Sequence, residues 1–351
     1  MEAVAERAED ITPEWLTQAL QSAGHDYTVT SVGHREIGTG QMGSTHRLVL
    51  GYEGPPGPPT LVAKLASPHE STRQLVSAGY AAEVGFYLQL APQLEVSTPK
   101  CWYGAIAEGN TEFTLMLDDL TPAAPGVQAD GCTVAQAAAS IENLLGLHVP
   151  LWNDEKLDEL TFLMCPSEAM AAVMGDVTIA ATAGFIDRYE DELGEDNMET
   201  LRRSSEVMAD WQLARLSPFS TIHGDYRLDN LLFSPDGDVV VVDWQTAAVG
   251  PPMRDVAYFL GTSLDSEVRR AHEEILVGGY HSSLVARGVT GYQADRCWDD
   301  YRLGQLQGPM VTVIGCMYAT GARTDKSDAM FLAMARRSCA AIRDLRSLEL
   351  L

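Results

Sequence analysis

The amino-acid sequence predicts an α+β protein with two lobes, and three observations support this. Strand-like runs such as 45–50 and 61–65 fall in the first third of the chain, next to glycine- and proline-rich loops. Farther along, apolar residues recur at the helical spacing of three and four, as in 133–152. The chain has 351 residues, which is long enough for two lobes.

Composition and charge narrow the possible functions. The chain is 46% hydrophobic and 21% charged, which is typical of a soluble globular protein. Its net charge of −25 would repel the phosphate backbone, so we do not expect a nucleic-acid partner. The same charge would attract a cationic small molecule, although a solubilising surface is the more ordinary explanation.

Cysteine usage and hydropathy predict where the protein is found. Its six cysteines are scattered, without Cys-x-x-Cys pairs or histidines at zinc-binding spacing. The chain opens without a basic and then apolar leader, and it lacks an uninterrupted apolar run of about 18 residues. We therefore expect a cytoplasmic, soluble protein with reduced thiols and no membrane partner.

A glycine-rich segment before a predicted strand is the first candidate for nucleotide binding. Gly38, Gly40 and Gly43 match the pattern G-x-G-x-x-G, which is weak evidence alone. A dinucleotide-binding fingerprint would have to open a helix, whereas residues 45–50 alternate as a strand. A glycine loop between two strands favours instead the kinase arrangement, in which backbone covers the nucleotide phosphates.

A lysine within a buried strand is the second candidate. Lys64 lies in the middle of an apolar run and is one of only four lysines in the chain. A buried ammonium group needs an anionic partner. The helix predicted over 73–90 carries Glu83, which could pair with Lys64 over the phosphates. Glu70 and Glu95 are alternative partners, and Glu83 would then be a solvated helix carboxylate.

A third segment predicts a passage between the lobes. The apolar strand 113–120 runs into acidic residues and then into Thr121-Pro122, which cannot continue as a helix. Such a strand would offer backbone amides and carbonyls to the edge of an adenine, although any edge strand could show this pattern. The residues that we expect to offer them are Leu117, Asp118 and Leu120.

We place the boundary between the two lobes after this strand. Residues 1–117 would form the nucleotide-binding lobe, including an N-terminal helix in which Thr12 is the cap and Pro13 the first helical residue. Residues 118–351 would form the catalytic and substrate-binding lobe.

The most specific motif runs from His223 to Asn230 and continues through a hairpin to Asp243. Asp225 precedes Asn230 by five residues, the spacing of base and metal-binding amide in kinase catalytic loops. Two strand-prone runs around a proline–glycine turn would set Asn230 opposite Val242, next to Asp243. Hard oxygen ligands of this kind suit Mg²⁺. A solvated, aspartate-rich hairpin is the alternative.

Two further polar residues are assigned to structure. His148 lies on the apolar face of the helix predicted over 133–152 and is interpreted as a core histidine. Asp255 follows the loop Gly250-Pro251-Pro252, near the start of an apolar helix, where a carboxylate can cap backbone amides.

Taken together, these residues resemble the aminoglycoside phosphotransferase and choline-kinase-like superfamily, whose members share the protein-kinase-like fold. The resemblance covers about Gly38 to Leu260. Its motifs are His223-Gly224-Asp225 with Asn230, Asp243-Trp244-Gln245, and Gly250-Pro251 followed by Arg254-Asp255-Val256-Ala257. Trp-Gln stands where protein kinases have Phe-Gly, which favours the small-molecule branch.

The resemblance implies a small N-terminal lobe with an antiparallel sheet, a larger and mostly helical C-terminal lobe, and ATP with Mg²⁺ between them. Asp225 would be the base, and Arg227 would either contact the γ-phosphate or serve the structure. His223 would support the loop. The other implied ligands are Asn230 and Asp243 for Mg²⁺, Lys64 with Glu83 for the α- and β-phosphates, and Gly38, Gly40 and Gly43 above them.

The predicted function is ATP- and Mg-dependent phosphorylation of a hydroxyl group on a small molecule. An aminoglycoside or another cationic antibiotic is one acceptor, and choline, a sugar, a steroid or a hydroxyacyl compound are others. A nucleotide-binding regulatory module that has lost turnover is the alternative from another class. A Rossmann oxidoreductase would be a third, but the strand after the glycine loop disfavours it.

Overall fold

The computed structural model describes residues 4–38, 42–318 and 323–351. These residues form two compact units. The first contains the described part of Met1–Gln93 with Thr98–Pro122 and Asp243–Thr246, and the second contains Leu94–Ser97, Ala123–Val242 and the described part of Ala247–Leu351.

The first unit is built on a five-stranded antiparallel sheet with the strand order β1-β2-β3-β5-β4. The strands are β1 (Thr28–Glu36), β2 (Gly43–Glu53), β3 (Thr60–Ala66), β4 (Cys101–Ile106) and β5 (Phe113–Asp118). The helices are α1 (Pro13–Ser22) and α2 (Glu70–Gly85), and α2 continues into a π-helical turn, Phe86–Leu90. The predicted antiparallel sheet is therefore present.

The two faces of this sheet differ. Leu48, Leu61 and Leu65 are fully buried on one face and belong to a core that includes residues of α1. Because side chains alternate along a strand, Lys64 points to the opposite face. On that face Lys64 of β3 lies between Thr45 of β2 and Leu115 of β5. The register therefore places a charged side chain on the face that α1 does not cover.

The second unit is mostly helical. Its strands are β6 (Ala124–Pro125), β7 (Ser220–Ile222), β8 (Leu231–Phe233), β9 (Val239–Val241) and β10 (Ala248–Gly250), which form a three-stranded sheet in the order β6-β8-β9 and a β10-β7 pair. Its helices are α3 (Val134–His148), α4 (Glu168–Arg188), α5 (Glu190–Leu193), α6 (Glu195–Glu206), α7 (Met208–Leu213), α8 (Met253–Ser263), α9 (Ser266–Ala286), α10 (Ala294–Gly304), α11 (Gln307–Tyr318) and α12 (Asp325–Leu345).

One predicted helix is divided into two helices in the structure. The sequence pattern predicts a single helix over 198–216, but the structure has α6 and α7, with a break at Val207. The hydroxyls of Ser204 and Ser205 hydrogen-bond to carbonyls of the preceding turn, at Thr200 and Arg202. Such bonds compete with regular helix bonding, which gives a physical reason for the break.

The helix α8 is the centre of the second unit. All of its residues are buried, from Met253 to Ser263. It packs against α10, α11 and α12. A helix that is enclosed on all sides is a rigid support for whatever its polar side chains hold.

One helix, α4, has the length and apolar composition of a membrane span. A third of its apolar window is buried, and α4 packs against α6, α7 and α11. Asp176 interrupts its apolar run. Because core helices of soluble proteins pass the same test, α4 is weak evidence for a membrane.

Candidate active site

In the first unit, Lys64 lies between two carboxylates. Its Nζ contacts Glu83 Oε1 on α2 and lies 3.4 Å from Asp243 Oδ1. The ion pair expected between Lys64 and Glu83 is thus present. Glu70, one of the alternative partners, is exposed at the start of α2.

Burial and charge oppose each other in this cluster. Burial disfavours the charged form of Lys64, but the carboxylates of Glu83 and Asp243 outweigh it and raise the lysine pKa above its ordinary value. Burial raises the pKa of Glu83, and the Lys64 ammonium opposes that shift. The Glu83 side chain is fully buried. Lys64 therefore stays protonated, and its pairing with Glu83 and Asp243 holds its ammonium group in one place.

The segment after Asp243 is anchored on the first unit by aromatic stacking. Asp243 has φ of +69°, a left-handed conformation that aspartate tolerates better than most residues. The ring of Trp244 is buried and stacks on Phe86, with centroids 3.6 Å apart and planes 7° from parallel. Tryptophan at this position therefore fixes the backbone next to the Asp243 carboxylate.

The glycine loop is described only in part, because Gly40 lies outside the described residues. Gly38 has φ of +76°, which favours glycine. At Gly43 a Cβ atom would lie 2.6 Å from the Leu65 carbonyl oxygen, so only glycine fits there. Backbone geometry alone explains both glycines, and their contact with phosphates stays a prediction.

The strand predicted to contact adenine is tied to its neighbour β4. The Asp118 amide donates to the Lys100 carbonyl at 3.0 Å, and the Trp102 indole donates to Asp118 Oδ1 at 2.6 Å. Leu117 pairs with Val62 in the sheet. The Asp118 amide is therefore engaged within the protein, and contact of this strand with an adenine base stays a prediction.

Sequence reasoning missed an ion pair at this end of the sheet. Arg47 Nη2 donates to Asp119 Oδ1 at 3.0 Å, and its Nε lies 2.7 Å from Asp119 Oδ2. Asp119 also accepts from the hydroxyl and amide of Thr121. Arg47 pairs with Val62 of β3, two residues from Lys64, so alternation places it on the Lys64 face. The two adjacent acidic residues at 118–119 were the feature of the sequence that could have indicated a cationic partner.

In the second unit, helix α8 holds the backbone of the loop that runs from His223 to Asn230. Asp255 accepts hydrogen bonds from the amides of His223 at 2.7 Å and Gly224 at 2.9 Å. Asp255 is fully buried, and His148 Nε2 lies 3.4 Å from it. The other ring nitrogen of His148 hydrogen-bonds with the hydroxyl of Tyr280 at 2.7 Å. The structural interpretations of Asp255 and of His148 agree with these contacts.

His223 joins the loop to the hairpin. The Asp225 amide donates to His223 Nδ1 at 3.2 Å, so Nδ1 is the acceptor nitrogen of the ring. Nε2 then carries the proton and donates to the Val242 carbonyl at 3.1 Å. The imidazole is thereby oriented as a support for the loop.

Asn230 faces Asp225 with its amide nitrogen. Asn230 Nδ2 donates to the Asp225 carbonyl at 2.9 Å and to Asp225 Oδ2 at 3.0 Å. The Val242 amide donates to the Asn230 carbonyl at 3.0 Å, as the predicted hairpin register requires. The side-chain oxygen of Asn230 therefore points away from Asp225, where a hard cation could use it.

The Asp225 carboxylate is held by donors on both oxygens. Tyr258 OH donates to Oδ1 at 2.8 Å, and Arg227 Nε donates to Oδ2 at 3.1 Å. Arg227 also donates to Asp229 Oδ2 at 2.6 Å. Burial disfavours the charged guanidinium, but Asp225 and the other anionic groups around it outweigh burial and raise the Arg227 pKa. Arg227 thus pairs with two carboxylates of its own loop.

Sequence reasoning missed Tyr258. Its signal was present: Tyr258 follows Asp255 by three residues on a helix, so both side chains lie on one face.

The donor set fits Mg²⁺. An amide oxygen of Asn230 and a carboxylate of Asp243 are hard ligands, and Mg²⁺ commonly takes one or two such protein groups and completes its shell with phosphate and water. A ready-made cluster of three or more His, Cys, Asp or Glu ligands is not found among the described residues.

A model of the phosphotransferase enzyme family APH matches residues 50–298, more than half of the chain. The chain belongs to the APH phosphotransferase family.

Solved structures with the same fold include several small-molecule kinases. The choline kinase from Cryptosporidium parvum Iowa II is 10% identical, with a TM-score of 0.56 and 91% of both chains covered. The microcompartment-associated aminopropanol kinase is 16% identical, with a TM-score of 0.52 and 96% and 99% covered. The GDP complex of aminoglycoside 2'-phosphotransferase-IIIa is 11% identical, with a TM-score of 0.52 and 93% and 98% covered. At these identities the likeness shows the fold alone.

Curated relatives match the APH-family protein over short stretches. Acyl-CoA dehydrogenase family member 10 of Mus musculus is 46% identical over 48 residues, which are 13% of this chain and 4% of that protein. Acyl-CoA dehydrogenase family member 11 of Pongo abelii is 45% identical over 40 residues, which are 11% and 5%. The chain therefore spans only a small fraction of these relatives.

Proposed function

We propose that this APH-family protein is a small-molecule kinase, which transfers the γ-phosphoryl group of ATP, with Mg²⁺, to a hydroxyl group, and that Asp225 is the base. The observation that carries the proposal is the fixed carboxylate of Asp225, held by Tyr258, Arg227 and Asn230 on a loop that Asp255 braces. A carboxylate in a rigid setting can orient one hydroxyl and accept its proton.

The reaction balances with these groups. A bond forms between the acceptor oxygen and the γ-phosphorus, the bond from that phosphorus to the β-phosphate oxygen breaks, and ADP leaves. The acceptor proton passes to Asp225. Lys64 would hold the α- and β-phosphates, and its pairing with Glu83 keeps it charged. Mg²⁺, when bound by Asn230 and Asp243, supplies positive charge to the phosphates.

Arg227 has two proposed roles. It could contact the γ-phosphate as charge spreads over its oxygens, as the resemblance suggests. Its bonds to Asp225 and Asp229 favour the second role, which is to hold the base. A guanidinium already paired with two carboxylates would have to give up one of them to reach a phosphate.

The nucleotide base is assigned to the end of β5. The Asp118 carbonyl and the Leu120 amide would bind the adenine edge, with Leu117 beside it, since the Asp118 amide already bonds Lys100. The related aminoglycoside 2'-phosphotransferase-IIIa forms a complex with GDP, so GTP must be compared with ATP. Initial rates with each triphosphate at equal concentration would decide between them.

Different observations favour different classes of phosphate acceptor. The net charge of −25 suits an amino-containing alcohol, such as an aminoglycoside or a choline-like compound. The short matches to proteins named acyl-CoA dehydrogenases keep hydroxyacyl compounds among the candidates. Sugars and steroids complete the panel.

The test is ADP release over this panel of hydroxyl compounds, compared between the natural protein and Asp225→Ala. We expect acceptor-dependent ADP release that EDTA abolishes and added Mg²⁺ restores. Equal turnover by the two proteins would exclude Asp225 as the base. Stabilisation by Mg-ATP without turnover on any acceptor would support the alternative, a silent nucleotide-binding regulatory module.

A further inference from the structure

The hydrogen bonds to Asp225 distinguish its two oxygens. Each carboxylate oxygen has two lone pairs. Oδ2 accepts from Arg227 Nε at 3.1 Å and from Asn230 Nδ2 at 3.0 Å, so both of its lone pairs are used. Among the described residues, Oδ1 accepts from Tyr258 OH alone, at 2.8 Å, which leaves one lone pair of this oxygen. The Asp225 side chain is 22% exposed, so the carboxylate is partly open to solvent.

We infer that Tyr258 is a positioning residue for the base: its hydroxyl holds Asp225 Oδ1 so that the remaining lone pair of this oxygen accepts the acceptor proton. The inference rests on the proposed function. Nothing in the sequence motif around His223 assigns a role to Tyr258, which lies on α8, 33 positions from Asp225.

The setting of Tyr258 suits this role. The residue is 1% exposed within α8, whose residues are all buried, so its ring has little freedom to move. Burial, reinforced by the charge of Asp225, raises the tyrosine pKa well above its ordinary value, so the hydroxyl remains a donor.

The same helix face also holds the backbone of the loop. Asp255, one turn before Tyr258, accepts from the His223 and Gly224 amides. Gln307 donates to the Gly224 carbonyl at 2.7 Å. Asp255 and Tyr258 of α8 thus hold both the backbone of the loop and the carboxylate of Asp225. This keeps the carboxylate in the orientation that proton acceptance requires.

The first experiment replaces Tyr258 by phenylalanine, which keeps the ring and removes the donor. We expect kcat for the acceptor to fall about tenfold to a hundredfold, the usual loss for one hydrogen bond to an ionised group. KM for ATP should stay unchanged, because Tyr258 acts on Asp225 and not on the nucleotide. ADP release to water should fall less than transfer to the acceptor, because water needs no aligned hydroxyl.

The matched control is Tyr301→Phe. Tyr301 is also a buried tyrosine in the second unit, and its hydroxyl donates to Glu273 Oε2 at 2.7 Å, outside the catalytic loop. Both variants lose a hydrogen bond from a phenol to a carboxylate, so thermal unfolding should shift similarly. Only Tyr258→Phe should change kcat and the ratio of transfer to hydrolysis.

A double-mutant cycle with Asp225→Ala separates positioning from general support of the fold. If Tyr258 acts through Asp225, adding Tyr258→Phe to Asp225→Ala should change the residual rate by less than about twofold. Additive losses, or an unchanged kcat in Tyr258→Phe alone, would overturn the inference. If Asp225→Ala itself kept full turnover, the proposed function would fail instead, so the two failures are distinguishable.

Discussion

The partners of Lys64 and the partners of Asp225 differ in how far they lie from these residues along the chain. Glu83 lies 19 positions from Lys64, and Asp243 lies 179 positions away. Two donors to the Asp225 carboxylate, Arg227 and Asn230, lie two and five positions away. Local sequence therefore supplies two of the three donors to Asp225, and the third, Tyr258, comes from α8, 33 positions away. Asp243, in contrast, reaches Lys64 only when segments 179 positions apart pack together.

The two clusters also differ in burial, which predicts different consequences of damage. Glu83 is fully buried beside Lys64, so removing the lysine leaves a carboxylate without its cation away from water. Asp225 is partly exposed, and Arg227 keeps Asp229 as a second carboxylate, so removing Asp225 leaves no buried charge without a counter-charge. Changes at Asp225 should mainly lower activity, and changes at Lys64 should lower stability as well.

The largest effect is expected for Asp225→Ala. Without the base, kcat should fall about a hundredfold to ten-thousandfold, the usual range for general base catalysis. Circular dichroism and the denaturation midpoint should stay close to those of the natural protein. A large loss of stability would contradict the contrast between the two clusters.

Lys64→Ala should have the next largest effect, and on stability. Leaving Glu83 charged and buried should lower the free energy of unfolding by about 3–5 kcal/mol, measured by urea titration. Adding Glu83→Gln removes that charge and should recover part of the loss. Exposed ion pairs contribute less than about 1 kcal/mol to stability. If Lys64→Ala lowered the free energy of unfolding by no more than that, the Lys64–Glu83 pair would behave as an exposed pair, which would contradict its burial.

Asp255→Asn should affect both properties to an intermediate degree. The carboxylate accepts from two loop amides, and a carboxamide replaces one acceptor oxygen by a donor, so we expect a loss of about 1–3 kcal/mol. Because the loop then loosens, kcat should fall while KM for ATP changes little. Normal kcat together with normal stability would show that Asp255 does not brace the loop.

The smallest effect is expected for Trp102→Phe. This change removes the indole bond to Asp118 and keeps an aromatic ring, so stability should fall by about 1 kcal/mol. If the end of β5 binds the nucleotide base, KM for ATP should rise while kcat stays close to normal. A change in kcat with an unchanged KM would argue against that assignment.

Several elements could be predicted from local pattern. The register of the 231–241 hairpin follows from its turn and its alternating runs, and the structure pairs Leu231 with Val241 and Phe233 with Val239. The strand around Lys64 follows from its apolar run, and a partner for that lysine follows from the cost of burying an unpaired ammonium.

Other features could not be predicted. The break at Val207 depends on hydroxyls that bond backward to helix carbonyls, which hydrophobic spacing does not register. The Arg47–Asp119 pair depends on which strands are neighbours. The spacing places Tyr258 on the same helix face as Asp255, but its bond to Asp225 depends on how α8 packs against the loop.

The amino-acid sequence was sufficient to predict the polar groups of the loop. It places a carboxylate, an amide and a second carboxylate at the spacing of phosphoryl-transfer loops, and hydrogen bonds between near neighbours depend on local spacing. The folded structure was needed to show that Asp243 joins Glu83 beside Lys64, and that Tyr258 holds Asp225 Oδ1. These contacts join segments far apart in the chain, and only the packing of buried helices and strands sets their geometry.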